Sequence, residues 1–240
     1  LAVGPGGRRG FMDAVGLPVL MSNAEVSAEP ALAEVLKKST VIERGGEKIG
    51  LIGLTPEDTH ELASPGKNIS FSDPVAAVQA EVDRLTAEGI NKIIVLSQSG
   101  YVVDQRVAAE TSGVDVIVGG HSNTYLSNVS DRAVGPYPTM VNGVAIVQAY
   151  AYGKFLGELN VTFDEAGNLV EAAGEPLIMD GTVSEDEATV APIAELAQPP
   201  HEIRNKVVAE AAAAVDRVRQ TCPLQDCQLG NLGATSTPHP

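Results

Sequence analysis

Basic residues are scarce in this chain: 16 Lys and Arg stand against 31 Asp and Glu, a formal net charge of −15. A protein that neutralises nucleic-acid phosphates or docks on anionic lipid needs a basic stripe, and none is present, so both partner classes are excluded. No stretch reaches the roughly 18 consecutive apolar residues of a membrane-spanning helix. No secretory leader with its charged head and apolar core is recognisable, and the chain opens on Leu1 rather than Met; it reads as a mature soluble form. Cysteine is limited to Cys222 and Cys227, with four residues between them. That pair could close a small disulfide loop, remain as two thiols, or be half of a metal site, although zinc would want two more Cys or His nearby and none is there.

What is abundant is apolar sequence in regular runs: 44% of the residues are hydrophobic, enough with 240 residues for a sizeable core in one large or two small domains. Leu17 to Met21 reads as a buried strand. Val41 to Arg44 and Lys48 to Leu54 read as a hairpin turning at Gly45-Gly46. Gly4 to Gly10 reads as a flexible lead-in and Pro56 to Lys67 as a loop. Asp73 is placed to cap a helix with Pro74 in its first turn, Val75, Val78, Val82 and Leu85 forming its apolar stripe up to Gly89. Ile93 to Leu96 is a strand, Val102 to Glu110 a helix and Val114 to Val118 a strand. This β-α-β-α-β order predicts a parallel sheet.

Beyond residue 121 the helices stop. Thr139 to Asn142, Val144 to Ala149, Leu156 to Phe163 and Leu169 to Leu177 read as strands, with Asn142-Gly143 as a two-residue hairpin turn and one solvated face. Glu185 to Ala197 predicts a helix ended by Pro199-Pro200. Val207 to Arg219 is Ala-rich and helix-prone, yet is read as a strand leading to the cysteines.

The segment Val118-Gly-Gly-His-Ser-Asn-Thr124 is the most informative. It puts the imidazole of His121 and the carboxamide of Asn123 on a glycine-rich turn directly after a buried strand, where open α/β sheets carry their chemistry. The competing reading is an ordinary turn with a surface histidine.

With its surroundings, this segment resembles the 5'-nucleotidase family of calcineurin-like dinuclear metallophosphoesterases. The similarity runs in order through Leu17 to Asn23, Lys48 to Thr55, Asn91 to Leu96, Gly113 to Thr124, Val147 to Gly157 and Cys222 to Leu232. It implies a sandwich of two mixed sheets flanked by helices, here truncated at its N-terminal side. Residues 1–198 would be a partial metallophosphoesterase domain, and 199–240 a linker and the beginning of the family's C-terminal domain.

The resemblance also implies a two-cation site, of zinc or manganese in the full-length family, with His121 on one metal and the side-chain oxygen of Asn123 on the other. The family's usual histidine in Leu96-Ser-Gln-Ser-Gly100 is Gln98 here. A neutral carboxamide binds such ions more weakly than imidazole, so one metal position should be weakened. The family's Asp-x-His, Gly-Asp and Asn-His-Glu segments do not occur, nor does the base-recognition half that would follow Cys222. A fragment or processed product is the expectation. The family often bridges the two cysteines, which implies a Cys222–Cys227 disulfide and an oxidising compartment, extracellular or periplasmic.

The expected function is therefore part of a metal-dependent phosphomonoesterase cleaving nucleoside 5'-monophosphates, inactive as this polypeptide alone. The alternative is a degenerate relative kept for binding or structure. The expected partner is a nucleotide or other phosphomonoester; an oligomer is compatible with the sequence. Other candidates read as structural: His60 in an acidic loop, His201 and His239 beside prolines, Asp104 as a first-turn dipole partner, Tyr150 and Tyr152 as packing residues. Asn68, Asn128 and Asn160 head glycosylation sequons that matter only in a eukaryotic source.

Overall fold

The computed structural model describes residues 4–207, 210, 215, 226–229 and 231. Their contacts divide the chain into one unit ending at Val183 and a second beginning at Ser184. In the first unit the elements run α1 (Gly4–Val15), β1 (Val19–Leu20), β2 (Ala24–Glu25), α2 (Pro30–Ala33), β3 (Leu36–Lys37), β4 (Ser39–Arg44) and β5 (Glu47–Leu54). They continue through α3 (Thr59–Leu62), β6 (Ser70–Phe71), α4 (Pro74–Ala87), β7 (Ile93–Ser97), α5 (Tyr101–Glu110), β8 (Val116–Val118), β9 (Thr139–Val141), β10 (Val144–Val147), β11 (Phe155–Phe163) and β12 (Leu169–Ile178).

A mixed sheet of six strands, in the order β4-β5-β7-β8-β10-β9, is the frame. Strands β5, β7, β8 and β10 are parallel, and β4 and β9 close the edges antiparallel. The parallel strands are near-continuous apolar runs because helices cover one of their faces. In register, Ile52, Val95, Ile117 and Ile146 line that face and join Val78, Val82, Leu85 and Val107 of α4 and α5 in one core. Each such side chain, fully buried, contributes about 1.5–3 kcal/mol. On the opposite face Ile94, Val116, Val118 and Val147 line a cleft of about 400 Å³, together with Leu159 and Val161 of the β11–β12 hairpin.

Helix α4 forms as its sequence dictates: Asp73 Oδ1 accepts a 2.8 Å hydrogen bond from Ala76 N, Pro74 sits in the first turn, and Gly89 beyond the end adopts φ +80°. The predicted Asn142-Gly143 turn has both residues left-handed, φ 49° and 82°.

Three expectations are corrected. Gly4 to Gly10 belongs to helix α1 and is no lead-in: Arg9 pairs with Asp13 at 2.9 Å, and Met12 buries itself against Leu32 and Ile69. Burial of one apolar residue on the next turns outweighs glycine's poor helix propensity. The loop at Pro56 to Lys67 contains α3. The strand foreseen at Leu17 to Met21 shrinks to the half-buried pair of β1. After residue 121, β9 and fully buried β10 join the central sheet, while β11 and β12 pair with each other.

The second unit contains α6 (Glu187–Asn205), capped by Asp186 Oδ1 on Thr189 N at 2.8 Å. It continues through Pro192, Pro199 and Pro200 instead of stopping before the proline pair. Each proline removes one backbone hydrogen bond, but its fixed φ is itself helical. The strand read at Val207 to Arg219 falls almost wholly outside the described residues, as does Cys222.

Candidate functional site

Parallel order brings the carboxyl ends of β5, β7, β8 and β10 to one edge of the sheet, so the segments that follow them become neighbours. These are Thr55 to Asp58, Gln98 to Gly100, Gly119 to Thr124, and Gln148 to Tyr150. His121 lines a cleft of about 160 Å³ there with Pro56, Glu57, Asp58, Ser99 and Val103. Gln98 continues the ladder by donating from N to Leu54 O at 2.8 Å. Its Oε1 lies close over Gly120: a methyl group added at Gly120 would stand 2.7 Å from it. The glycine is thus what lets the Gln98 side chain and the 119–124 segment approach.

His121 and Asn123 take left-handed backbone conformations, φ 67° and 51°, and both side chains are exposed, as is that of Gln98. Left-handed φ is uncommon outside glycine, with Asn and His among the tolerated exceptions.

The turn is held from below and from the side by buried polar groups. Gln148, almost wholly buried, donates from Nε2 to Gly120 O at 3.1 Å and accepts on Oε1 from Thr124 N and from Ser122 Oγ. Ser122 Oγ also accepts from Tyr101 N at 3.1 Å. Asp104, fully buried on α5, accepts from Ser97 Oγ at 2.5 Å, and that hydroxyl accepts from Ser99 N at 3.0 Å. Burial pushes the Asp104 carboxyl up to about 6, the Ser97 hydrogen bond opposing only part of the shift. Its role as a simple dipole partner is therefore too small a description. The sequence held a signal for it: Asp104 shares the helical stripe of Val107, Ala108 and Thr111, which is otherwise core.

Asn23 ends the segment Leu17 to Asn23 that carries part of the family resemblance, and nothing in the sequence singles it out further. It is buried, and it exchanges hydrogen bonds with Thr55 across the same edge, 2.8 Å from Nδ2 to Thr55 O and 3.1 Å from Thr55 N to Oδ1.

The other candidates lie apart or are structural. His60 is exposed in α3, 3.7 Å from Glu61. Asn128 uses its Nδ2 on Tyr137 O and Gly174 O, anchoring its loop. Tyr150 packs edge-on against Tyr125 and Phe155, whereas Tyr152 is exposed. His239 lies outside the described residues, and His201 falls within α6.

The ligand candidates read from the sequence bring one imidazole and two carboxamides to this edge, and Glu57 and Asp58 line the same cleft as His121. Among the described residues no three His, Cys, Asp or Glu side chains converge closely enough to hold an ion. Each ion of a two-metal centre needs several converging ligands, so the described residues do not make a complete one. No helix among the described residues is long and apolar enough to cross a membrane.

No protein-family model matches the chain. Whole-sequence comparison finds a 5'-nucleotidase of Diplobatis ommata, 38% identical over 233 residues, 92% of this chain and 40% of the relative. Among solved structures, a 5'-nucleotidase precursor from Thermus thermophilus superposes with a TM-score of 0.85 at 38% identity, covering 96% of this chain and 47% of its own. A calcineurin-like phosphoesterase from Bacillus subtilis shares the fold, with a TM-score of 0.60 at 20% identity over 79% of this chain and 64% of its own. The chain spans about two-fifths of the length of the curated relatives it matches.

Proposed function

This chain is a 5'-nucleotidase homologue over nine-tenths of its own length, and from that premise we propose that it forms one part of a metal-dependent phosphomonoesterase acting on nucleoside 5'-monophosphates. The observation that carries the reading is the meeting of the Gln98 carboxamide with the Gly119–Thr124 turn at the carboxyl edge of the parallel strands. There His121 serves one cation, Asn123 the other through its side-chain oxygen, and Gln98 is a weaker donor where imidazole would bind more firmly. Zinc or manganese suits this nitrogen and oxygen set.

His121, Asn123 and Gln98 are too few ligands for two cations, so in this reading the remaining ligands are supplied by sequence outside these 240 residues. The isolated chain is accordingly inactive. Its place is extracellular or periplasmic, with Cys222 and Cys227 bridged. Under non-reducing denaturation neither cysteine should then take up an alkylating reagent, and both should after reduction.

A second reading, a relative retained for binding or structure, is favoured by Gln98 itself, since a carboxamide there weakens one metal position. The deciding experiment is elemental analysis of the dialysed chain, with phosphate release from AMP assayed in parallel with added zinc or manganese. No turnover is expected. Near-stoichiometric metal with turnover abolished by His121→Ala would overturn the predicted inactivity. Restored turnover on supplying the missing ligand segments would support the enzyme part, and failure to restore it would favour the second reading.

A further inference from the structure

We propose that Asp104 and Gln148 are positioning residues: together they hold the turn that carries His121 and Asn123 in its left-handed conformation and in register with Gln98. The functional meaning of that register rests on the ligand roles assigned above.

The turn cannot hold itself. Two non-glycine residues stand at φ 67° and 51° with exposed side chains, so no packing of their own compensates a sparsely populated backbone conformation. What compensates lies underneath. Gln148 ties three points of the turn at once, Gly120 O, Ser122 Oγ and Thr124 N. Asp104 lies against both segments, bonded to one and in close approach to the other. One carboxylate oxygen takes the hydrogen bond from Ser97, the residue before Gln98. The other faces Gly119, where an added methyl would collide with it, and has no hydrogen-bond partner among the described residues.

That last feature argues for positioning rather than for stability. A fully buried carboxyl oxygen without a partner is costly, and a small apolar side chain would serve the fold better. A carboxyl at residue 104 is useful to the arrangement only through what it fixes, the Ser97 hydroxyl and the approach of Gly119. Glycine at 119 is the complement: no other residue lets the backbone close on Asp104.

The test needs no turnover. In the isotope-labelled chain, NMR couplings report φ at His121 and Asn123, and amide exchange reports the protection of Thr124. In Asp104→Ala and Gln148→Leu the left-handed signature should be lost at both residues and Thr124 should exchange about tenfold faster or more, while the thermal midpoint of Asp104→Ala stays at or above that of the parent. Asp104→Asn, which keeps an acceptor for Ser97, should retain the signature and serves if the alanine variant does not fold. Unchanged φ and exchange in Asp104→Ala and Gln148→Leu would overturn the proposal, as would loss of signature in step with a fall in global stability.

Added Mn²⁺ separates this from the ligand assignment. Paramagnetic broadening at the backbone amides of residues 119–124 that vanishes in His121→Ala and weakens in Asp104→Ala supports both readings. If the turn signature depends on Asp104 and Gln148 while broadening ignores His121, the positioning stands and the ligand assignment fails.

Discussion

Asn23 and Thr55 exchange two hydrogen bonds across the carboxyl edge of the central sheet, the Asn23 carboxamide mimicking a strand neighbour for the end of β5. Asn23 is 1% exposed, so water cannot replace either bond.

Asn23→Ala should therefore destabilise the chain by about 2–4 kcal/mol, since it strands a buried donor and acceptor on Thr55 and leaves a void. Asn23→Asp should also destabilise, because its second oxygen would face Thr55 O with no proton to share. Urea unfolding checks this, and a wild-type midpoint for Asn23→Ala would refute it.

Two adjacent glycines should respond differently to the same change. At Gly119 an added methyl collides with the buried carboxyl of Asp104, whereas at Gly120 its nearest neighbour is the far end of the exposed Gln98 side chain, 2.7 Å away. Gly119→Ala should cost about 2 kcal/mol or more, and Gly120→Ala under about 1 kcal/mol while turning Gln98 aside. Thermal scans of the two variants test the order, and a larger loss at Gly120 would be the wrong result.

Stability should fall as pH rises from about 4 to about 6. Burial pushes Asp104 and Asp115 each up to about 6, opposed at Asp104 by the Ser97 hydrogen bond and at Asp115 by the Ile93 amide and Lys92. An unfolded Asp titrates near 3.9. In that window the folded chain binds more protons than the unfolded one, so each pH step favours unfolding, and the loss is complete above the folded value. Asp104→Asn should gain on the parent across the same window, by up to about 3 kcal/mol at neutral pH. A stability difference that does not change between pH 4 and 7 would contradict the assignment.

Asp73→Ala should cost about 1 kcal/mol by removing the 2.8 Å cap on Ala76 N. Part of that loss reflects Arg106, whose Nη2 lies 3.2 Å from Asp73 Oδ2 on the protein surface. Replacing Arg106 by Ala alone should change stability by less than about 0.5 kcal/mol, and chemical denaturation of the two variants distinguishes the terms.

Local chemistry made much of this protein legible in its sequence. Asp73-Pro74 and Gly89 bound α4 because a cap, a fixed φ and a left-handed residue act within a turn of the chain. Asn142-Gly143 made its hairpin for the same reason, and the apolar runs of β7 and β8 announced buried parallel strands. The similar segments, read in order, pointed to the 5'-nucleotidase-like fold and to the turn at His121. The resemblance also sets the expectation that Gln98 stands where the family has an imidazole.

What only the tertiary structure decided concerns groups far apart in the chain. Gly4 to Gly10 is helical because Met12 finds Leu32 and Ile69, and local propensity carries no record of that burial. Asp104 reads from the sequence as a first-turn dipole partner, but α5 turns it under Ser97 and Gly119, and Gln148 reads as one more strand residue, but β10 beside β8 sets it under the turn. Sequence specifies which side chains can bond. Which ones meet is settled by sheet order and helix rotation, set by the summed burial of the core.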